Sequence, residues 1–193
     1  MRVIAGSAKG RRLAGPDTRE TRPLTDRARE AIFSALAGLV TDAEVLDLYA
    51  GSGSIGIEAL SRGALRVVFV ETGREALQAL RQNLAGLGFG GTVVAQDVGD
   101  FLRTASGRFD LIFFDPPWAL ETRVLTEQMS RADRIAVDGA EMVVHRKRSD
   151  PAPDPPNGWR LLTTRRYGDS AIHRYEKSAP DSLEDQQDSE NNE

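Results

Sequence analysis

Cysteine is missing from all 193 residues of this chain. Its absence excludes disulfides, thiolate metal sites and every mechanism built on a cysteine nucleophile. Histidine is nearly as scarce, with His145 and His173 the only two. Two are too few for a histidine-based metal cluster, so no metal site is expected and both read as satisfied or surface side chains. No run of about 18 apolar residues could span a membrane. The start, Met1-Arg2-Val3-Ile4-Ala5-Gly6, lacks the apolar stretch of about 7–15 residues that marks a secretory signal. A cytoplasmic protein with no membrane partner is expected. Nothing in the pattern suggests an obligate interface, so a monomer is expected too.

The formal charge of −4 comes from 25 basic and 29 acidic residues, and it misleads. Residues 178–193 carry six acids (Asp181, Glu184, Asp185, Asp188, Glu190, Glu193) and no Lys or Arg. Without that tail the body is net positive by two. Basic residues also cluster, eight against four acids in residues 1–30 and again in residues 145–177. Cations gathered at both ends of a body are the footprint of a nucleic-acid binder. A solvated basic face would look the same on charge alone.

The length suits one α/β domain with a small appendage. Arg2–Ala5 and Gly10–Leu13 flank Ser7-Ala8-Lys9 as the arms of a basic hairpin, and residues 1–24 form an N-terminal extension. Thr25 is placed to N-cap a helix over Asp26–Ala37 with Ile32, Phe33 and Leu36 on its apolar face. Strands are then expected at Val45–Tyr49, Arg66–Val70, Thr92–Gln96, Phe109–Phe114 and Ala140–His145. Helices alternate with them at Ser54–Ser61, Arg74–Leu87, Val98–Thr104 and Leu120–Arg131. Short apolar strands alternating with helices mean a parallel, doubly wound, Rossmann-like sheet. Trp159–Arg165 and Ala171–Tyr175 read as two closing antiparallel strands, whose Trp159, Tyr167 and Tyr175 belong to the core. The body thus spans residues 25–177, and the polar tail 178–193 is expected to be disordered.

Two motifs carry chemistry. The first is Val45-Leu46-Asp47-Leu48-Tyr49-Ala50-Gly51-Ser52-Gly53-Ser54-Ile55-Gly56, a strand, a glycine turn and a helix start. Gly51, Gly53 and Gly56 match a dinucleotide fingerprint, and Glu71 ends the next strand where a ribose-binding acid belongs. Asp47 argues against a dinucleotide. It would repel a pyrophosphate but hold the cationic amino-acid end of S-adenosylmethionine. Asp97, followed by Val98, either accepts from an adenine amino group or caps the helix that begins there. Together Asp47, the Tyr49–Gly56 turn, Glu71 and Asp97 would cover that cofactor from methionine to adenine.

The second motif is Asp115-Pro116-Pro117-Trp118 at the end of Phe109–Phe114. Two prolines stop the strand and leave a rigid corner. A carboxylate, exposed carbonyls and a flat ring there suit a planar base with an amino group.

With both motifs in hand, the chain resembles the RsmD family, the bacterial 16S rRNA (guanine-N2) methyltransferases. The resemblance covers Met1 to Tyr175. It rests on Arg2-Val3-Ile4-Ala5-Gly6, Lys9-Gly10-Arg11-Arg12-Leu13, Thr21-Arg22-Pro23-Leu24-Thr25-Asp26-Arg27-Ala28-Arg29-Glu30, Leu46 through Ala64, and Asp110 through Trp118. It implies a seven-stranded S-adenosylmethionine-dependent methyltransferase sheet with an N-terminal β-hairpin extension that helps grip RNA. It also implies methylation of the exocyclic amine of guanine 966 in 16S rRNA, with an assembling small subunit as the expected partner and naked rRNA as the open alternative. The chain departs from the family pattern at Trp118, where Tyr or Phe is usual, at His145-Arg146, where an acid is common, and in its acidic tail. The first bears on stacking and the second on an RNA contact.

On this reading Asp115 and the Pro116 carbonyl accept the two N–H protons of the guanine amine, and Trp118 stacks on the base. The lack of cysteine favours nitrogen over pyrimidine carbon-5, whose methylation commonly uses a cysteine adduct. Lys9, Arg11, Arg12, Arg22, Arg27 and Arg29 are candidates for phosphate contacts, while Arg22 and Thr25 could instead close over the cofactor. An amino-methyltransferase acting on DNA adenine or protein glutamine shares the corner but leaves the basic N-terminal segment unexplained. An NAD-dependent oxidoreductase uses only the glycine turn and Glu71, and a non-catalytic RNA binder only the charges.

Overall fold

The computed structural model describes residues 1–15, 24–36 and 38–179. Its elements follow the apolar periodicity closely. They are α1 (Asp26–Ala35), β1 (Glu44–Leu48), α2 (Ser54–Ser61), β2 (Arg66–Glu71), α3 (Arg74–Leu87), β3 (Thr92–Ala95), α4 (Val98–Thr104), β4 (Phe109–Phe114), α5 (Thr122–Ala132), β5 (Ala136–Lys147), β6 (Trp159–Tyr167) and β7 (Ser170–Lys177). The seven strands form one sheet in the order β3-β2-β1-β4-β5-β7-β6. The first five strands are parallel, and β7 runs antiparallel between β5 and β6.

Successive residues of a strand face opposite sides, so each central strand feeds two cores. Val45, Phe69, Leu111 and Phe113 pack with Phe33, Leu36, Ile57 and Leu80 on the α1–α3 side. Leu46, Leu48, Ile112 and Phe114 pack with Leu102, Leu125 and Met129 on the α4–α5 side. Both faces are covered, as a parallel sheet requires.

The N-terminal hairpin is tighter than two full strands, with a single bridge pair, Arg2 and Arg12. Its ladder is Val3 N–H to the Arg11 carbonyl (2.9 Å), Gly10 N–H to the Val3 carbonyl (2.9 Å) and Leu13 N–H to the Met1 carbonyl (3.1 Å). Val3, Ala8 and Leu13 are buried in the α1–α3 core. The buried carboxylate of Glu58 on α2 accepts from the Ile4 and Ala5 amides at 2.7 and 3.0 Å and from Arg62 Nε at 2.7 Å. Arg22 and the tail from Pro180 onward lie outside the described residues.

Candidate active site

The strand order reverses direction between β1 and β4, and a ligand crevice opens at such a switch point, outside the carboxyl ends of the strands. Leu48 pairs with Phe114, so the glycine turn after β1 and the Asp-Pro-Pro-Trp corner after β4 leave the sheet side by side. The Asp115 N–H donates to the Leu48 carbonyl at 3.2 Å, tying the two together.

The turn needs glycine for distinct reasons. Tyr49, Gly51 and Gly53 all have positive φ (62°, 56° and 86°), a region that favours glycine. A Cβ on Gly53 would lie 2.3 Å from Leu80 Cδ1, and one on Gly56 2.3 Å from Phe69 Cε1, so both let α2 pack onto its neighbours. A Cβ on Gly51 would meet nothing within 4 Å, and a cofactor could lie against the turn there. Ala50 N–H donates to the Val70 carbonyl, and the Ser52 carbonyl accepts from Asn83 Nδ2 at 3.0 Å.

Asp47 is fully buried and spends Oδ2 on the Gly56 amide at 2.9 Å. Its Oδ1 is buried with no hydrogen-bond partner. Burial pushes the carboxyl pKa up to about 8, against the lowering effect of the Gly56 hydrogen bond, with Asp115 and Glu71 raising it further. An orphaned buried acceptor of this kind suits a cation. It does not suit a pyrophosphate, which a carboxyl at the start of α2 would repel when ionised and whose place at the Gly56 amide Asp47 already takes.

Glu71 braces the same turn. Its Oε2 accepts from Gly51 N–H (2.8 Å), and its Oε1 from the Thr72 and Gly73 amides (both 2.7 Å). Of the two roles open to Asp97, capping is realised, since its Oδ1 accepts from the Asp100 amide at 3.1 Å at the start of α4. Val98 beside it is buried. Tyr49 O–H donates to Gln128 Oε1 at 2.7 Å. Burial raises its pKa, the Gln128 contact opposes this and Asp97 adds to it.

At the corner, Asp115 Oδ1 lies 2.6 Å from His145 Nδ1, and His145 Nε2 lies 2.8 Å from Ser170 Oγ. His145, read from sequence as an ordinary satisfied or surface side chain, is buried against the corner carboxylate. Strand pairing brings it there, because Phe114 on β4 is opposite Val144 on β5. Arg146, expected near an RNA contact, is also turned inward, donating to the Leu120 carbonyl and pairing with Asp150 at 2.9 Å each. The Leu120 N–H closes a turn onto the Pro117 carbonyl at 2.9 Å, and Trp118 stands at its apex, 36% exposed.

The basic candidates separate. Arg29 is completely buried, donating to the Arg2 carbonyl (2.6 Å) and Asp26 Oδ1 (2.8 Å), and is therefore enclosed away from any phosphate. Thr25 caps α1 by accepting from the Ala28 amide at 3.2 Å. Lys9, Arg11, Arg12 and Arg27 are exposed. Arg11 donates to the Gly86 carbonyl near the carboxyl end of α3 (2.8 Å), and the Ser7 and Ala8 amides bind Ser61 at the end of α2. Both helices start at the glycine-turn edge of the sheet, so the hairpin tip lies toward the opposite edge.

Fold and site define an S-adenosylmethionine-dependent methyltransferase. A glycine turn over a buried acid, whose Oδ1 has no hydrogen-bond partner, sits beside an Asp-Pro-Pro corner at the switch point of a seven-stranded sheet. The chain belongs to the RsmD family, whose model, described as Conserved hypothetical protein 95, matches residues 1–176. It is 34% identical over 180 residues to the ribosomal RNA small subunit methyltransferase D of Escherichia coli K12, spanning 93% of this chain and 91% of that one. A solved Escherichia coli structure of a candidate methyltransferase, yhhF, superposes with a TM-score of 0.82 at 34% identity, covering 93% of this chain and 98% of that one. A candidate S-adenosylmethionine-dependent methyltransferase of Streptococcus mutans shares the fold at 11% identity, with a TM-score of 0.69 over 81% of this chain and 50% of that one.

Proposed function

We propose that the chain transfers a methyl group from S-adenosylmethionine to the N2 amine of guanine 966 in 16S rRNA, acting in the cytoplasm as a monomer on an assembling small subunit. Ribosomal RNA of the small subunit is the substrate class named for the Escherichia coli relative. The choice of guanine N2 follows from the family resemblance and from an amine-accepting corner. The observation that carries the reading is the adjacency of the orphaned Asp47 Oδ1 and the Asp115 corner on paired strands. One side of the site wants a cation, and the other wants N–H donors.

When bound, S-adenosylmethionine supplies an electrophilic methyl group on a sulfonium. Asp47 would hold its ammonium end, and the turn from Ala50 to Gly53, open at Gly51, would hold the methionine portion. Glu71, already fixed by three backbone N–H groups, keeps one lone pair, on Oε2, for a ribose hydroxyl. Asp97 and Val98 would border the adenine.

The guanine amine is a weak nucleophile because its lone pair is delocalised into the ring. His145 occupies Asp115 Oδ1, so Oδ2 is the oxygen left to accept one amine N–H. The Pro116 carbonyl accepts the other. Both contacts aim the lone pair and stabilise the positive charge that develops on nitrogen. Pro117 fixes the turn, and Trp118 stacks on the base. A guanine in a helix cannot present its amine in this way, so the target is unpaired or flipped out.

Mass spectrometry of small-subunit rRNA incubated with protein and S-adenosylmethionine tests the assignment. The expected result is one added methyl on guanine N2 and none with Asp115→Ala, which should still bind the cofactor. Retained turnover in that variant overturns the role of Asp115. Methylation of adenine in DNA or of protein glutamine instead would move the substrate while keeping the corner, and heat released with NADH but not S-adenosylmethionine would replace the cofactor.

A further inference from the structure

The cations of the carboxyl-terminal hairpin divide by position. Away from the turn that joins β6 to β7, each has a carboxylate partner. Arg160 pairs with Glu176, Arg174 holds Glu141 through two bonds of 2.7 and 2.9 Å, and Lys177 lies 2.9 Å from Asp133. At the turn end the pattern stops. Lys147, Arg148, Arg165 and Arg166 are all exposed, and among the described residues none forms an ion pair. Among the described residues the Arg148 guanidinium makes only a long contact, 3.4 Å, with the Gly168 carbonyl, while its backbone N–H donates to the Asp169 carbonyl at 2.7 Å. The turn itself carries one acid, Asp169.

This end of the hairpin lies at the catalytic edge. Lys147 is opposite Ser170, which is opposite Tyr167 on β6, and Arg165 and Arg166 precede Tyr167. Ser170 Oγ reaches His145, which reaches Asp115. Two side-chain contacts therefore separate the start of β7 from the corner carboxylate. The tip of the N-terminal hairpin, with Lys9 and Arg11, is anchored toward the opposite edge of the sheet. An RNA strand whose guanine enters at Asp115 must run its phosphates across the near edge. Four exposed cations that form no ion pair among the described residues stand together there, with Asp169 the one acid in the turn between them.

We infer that Lys147, Arg148, Arg165 and Arg166 form a phosphate-binding lip that holds the RNA backbone flanking the target base. The inference rests on the reading of the corner as an RNA-methylating site. It extends the RNA surface from the N-terminal segment to the end of the sheet formed by β5, β6 and β7. Arginine and lysine without protein partners release counterions on meeting phosphates, so each contact adds to the salt dependence of binding, by about 0.7 in log–log slope for single strands and about 0.9 for duplex.

The test is binding of the full chain to a small-subunit rRNA fragment across roughly 0.05–0.2 M salt, the range over which such contacts register. With all four residues changed to Ala, the slope should become shallower by about 3, and affinity at the lower salt should fall about 10-fold or more. Cofactor affinity should not change. Replacing the three arginines with Lys, which keeps the charges, should restore the slope. Arg148→Glu and Arg166→Glu, made singly, should each weaken RNA binding more than a matched change of Arg103, which is already paired with Asp100 on α4. These single variants decide the matter even if the fourfold variant folds poorly. An unchanged slope in the fourfold variant, or single reversals no worse than at Arg103, overturns the lip and leaves the methyl transfer standing. A wild-type chain that binds rRNA through these residues but methylates none of it overturns the reaction and leaves the lip.

Discussion

At the scale of single residues, Asp47 makes the site sensitive to pH. Its folded-state pKa of about 8 lies well above the ordinary 3.8, chiefly through burial. A carboxyl shifted upward stays protonated in the folded chain while the unfolded chain has already ionised. The cofactor-free protein should therefore lose stability as pH rises from about 4 to 8. Binding of a cation at Oδ1 needs the ionised form, so cofactor affinity should move the other way. Between pH 6 and 7.5 it should rise nearly 10-fold per pH unit, with release of close to one proton. Calorimetry in buffers of different ionisation enthalpy reads both quantities. Asp47→Asn should bind weakly at every pH with no proton release, and a pH-independent affinity in the wild type would sink this account. His145 makes a second case. His145→Leu leaves Asp115 without its donor, and kcat should fall about 10–100-fold while the cofactor Kd stays within about twofold. His145→Asn keeps a donor near the Nδ1 position and should recover most of kcat. A purely structural role would lower both variants alike. Asp47, Glu71 and Asp115 could be placed at the carboxyl edge of the sheet from sequence, because each lies at or next to the end of an apolar strand and within four residues of a glycine or proline. His145 was not, since its partner is 30 residues away and becomes a neighbour only when β5 pairs with β4. Arg29 was misread for a related reason: a charge one turn into an amphipathic helix gives no sign that a hairpin will close over it.

Whole elements were easier to read than single partners. Three helices, α2, α3 and α4, and β4 run as the periodicity predicts to the residue. Glycines and caps punctuate them, with Asp97 before α4 and Gly88 in the left-handed conformation after α3. The clearest departure is β5, which begins at Ala136 rather than Ala140. A register shift between Phe109 and Leu111 lets Ala136 pair with Phe109, and Gly139 at φ 76° carries the chain through it. A bulge has no apolar period of its own, so the pattern starts only where pairing becomes regular. The contact of α2 with β2 yields a direct prediction. A methyl on Gly56 would stand 2.3 Å from the Phe69 ring and 2.8 Å from Val67 Cγ1. Gly56→Ala should cost about 1–3 kcal/mol of stability by overpacking and weaken the cofactor by displacing the amide that holds Asp47. Pairing it with Phe69→Leu should return part of the stability, measured by urea unfolding. Strict additivity of the two changes would show that the ring is not what Gly56 accommodates.

For the molecule as a whole, the question is whether residues 1–15 are an arm attached to a finished domain or a piece of the domain itself. Charge and composition favour an arm. Packing favours the second, since Val3, Ala8 and Leu13 lie in the same core as Phe33, Leu36 and Ile57. The polar contacts agree. Glu58 is buried, and two of its three donors are hairpin amides. Ser61 Oγ donates to the Ala5 carbonyl and accepts from the Ala8 amide. Fully burying a Val or Leu side chain contributes about 1.5–3 kcal/mol, and stripping partners from a buried charge costs about 3–5 kcal/mol. Deleting residues 1–15 should therefore remove most of the 5–15 kcal/mol typical of a domain this size, leaving a chain that fails to bind cofactor as well as RNA. Lys9→Ala with Arg12→Ala should leave the unfolding midpoint within about 2 °C, because solvent-exposed charges contribute little, and alter only the salt dependence of RNA binding. Glu58→Ala separates the two views. It touches no RNA contact and no cofactor contact, yet it should lower stability by about 3 kcal/mol if the hairpin is part of the fold. A loss of RNA affinity in Glu58→Ala with the unfolding midpoint unchanged would make the hairpin a detachable arm after all.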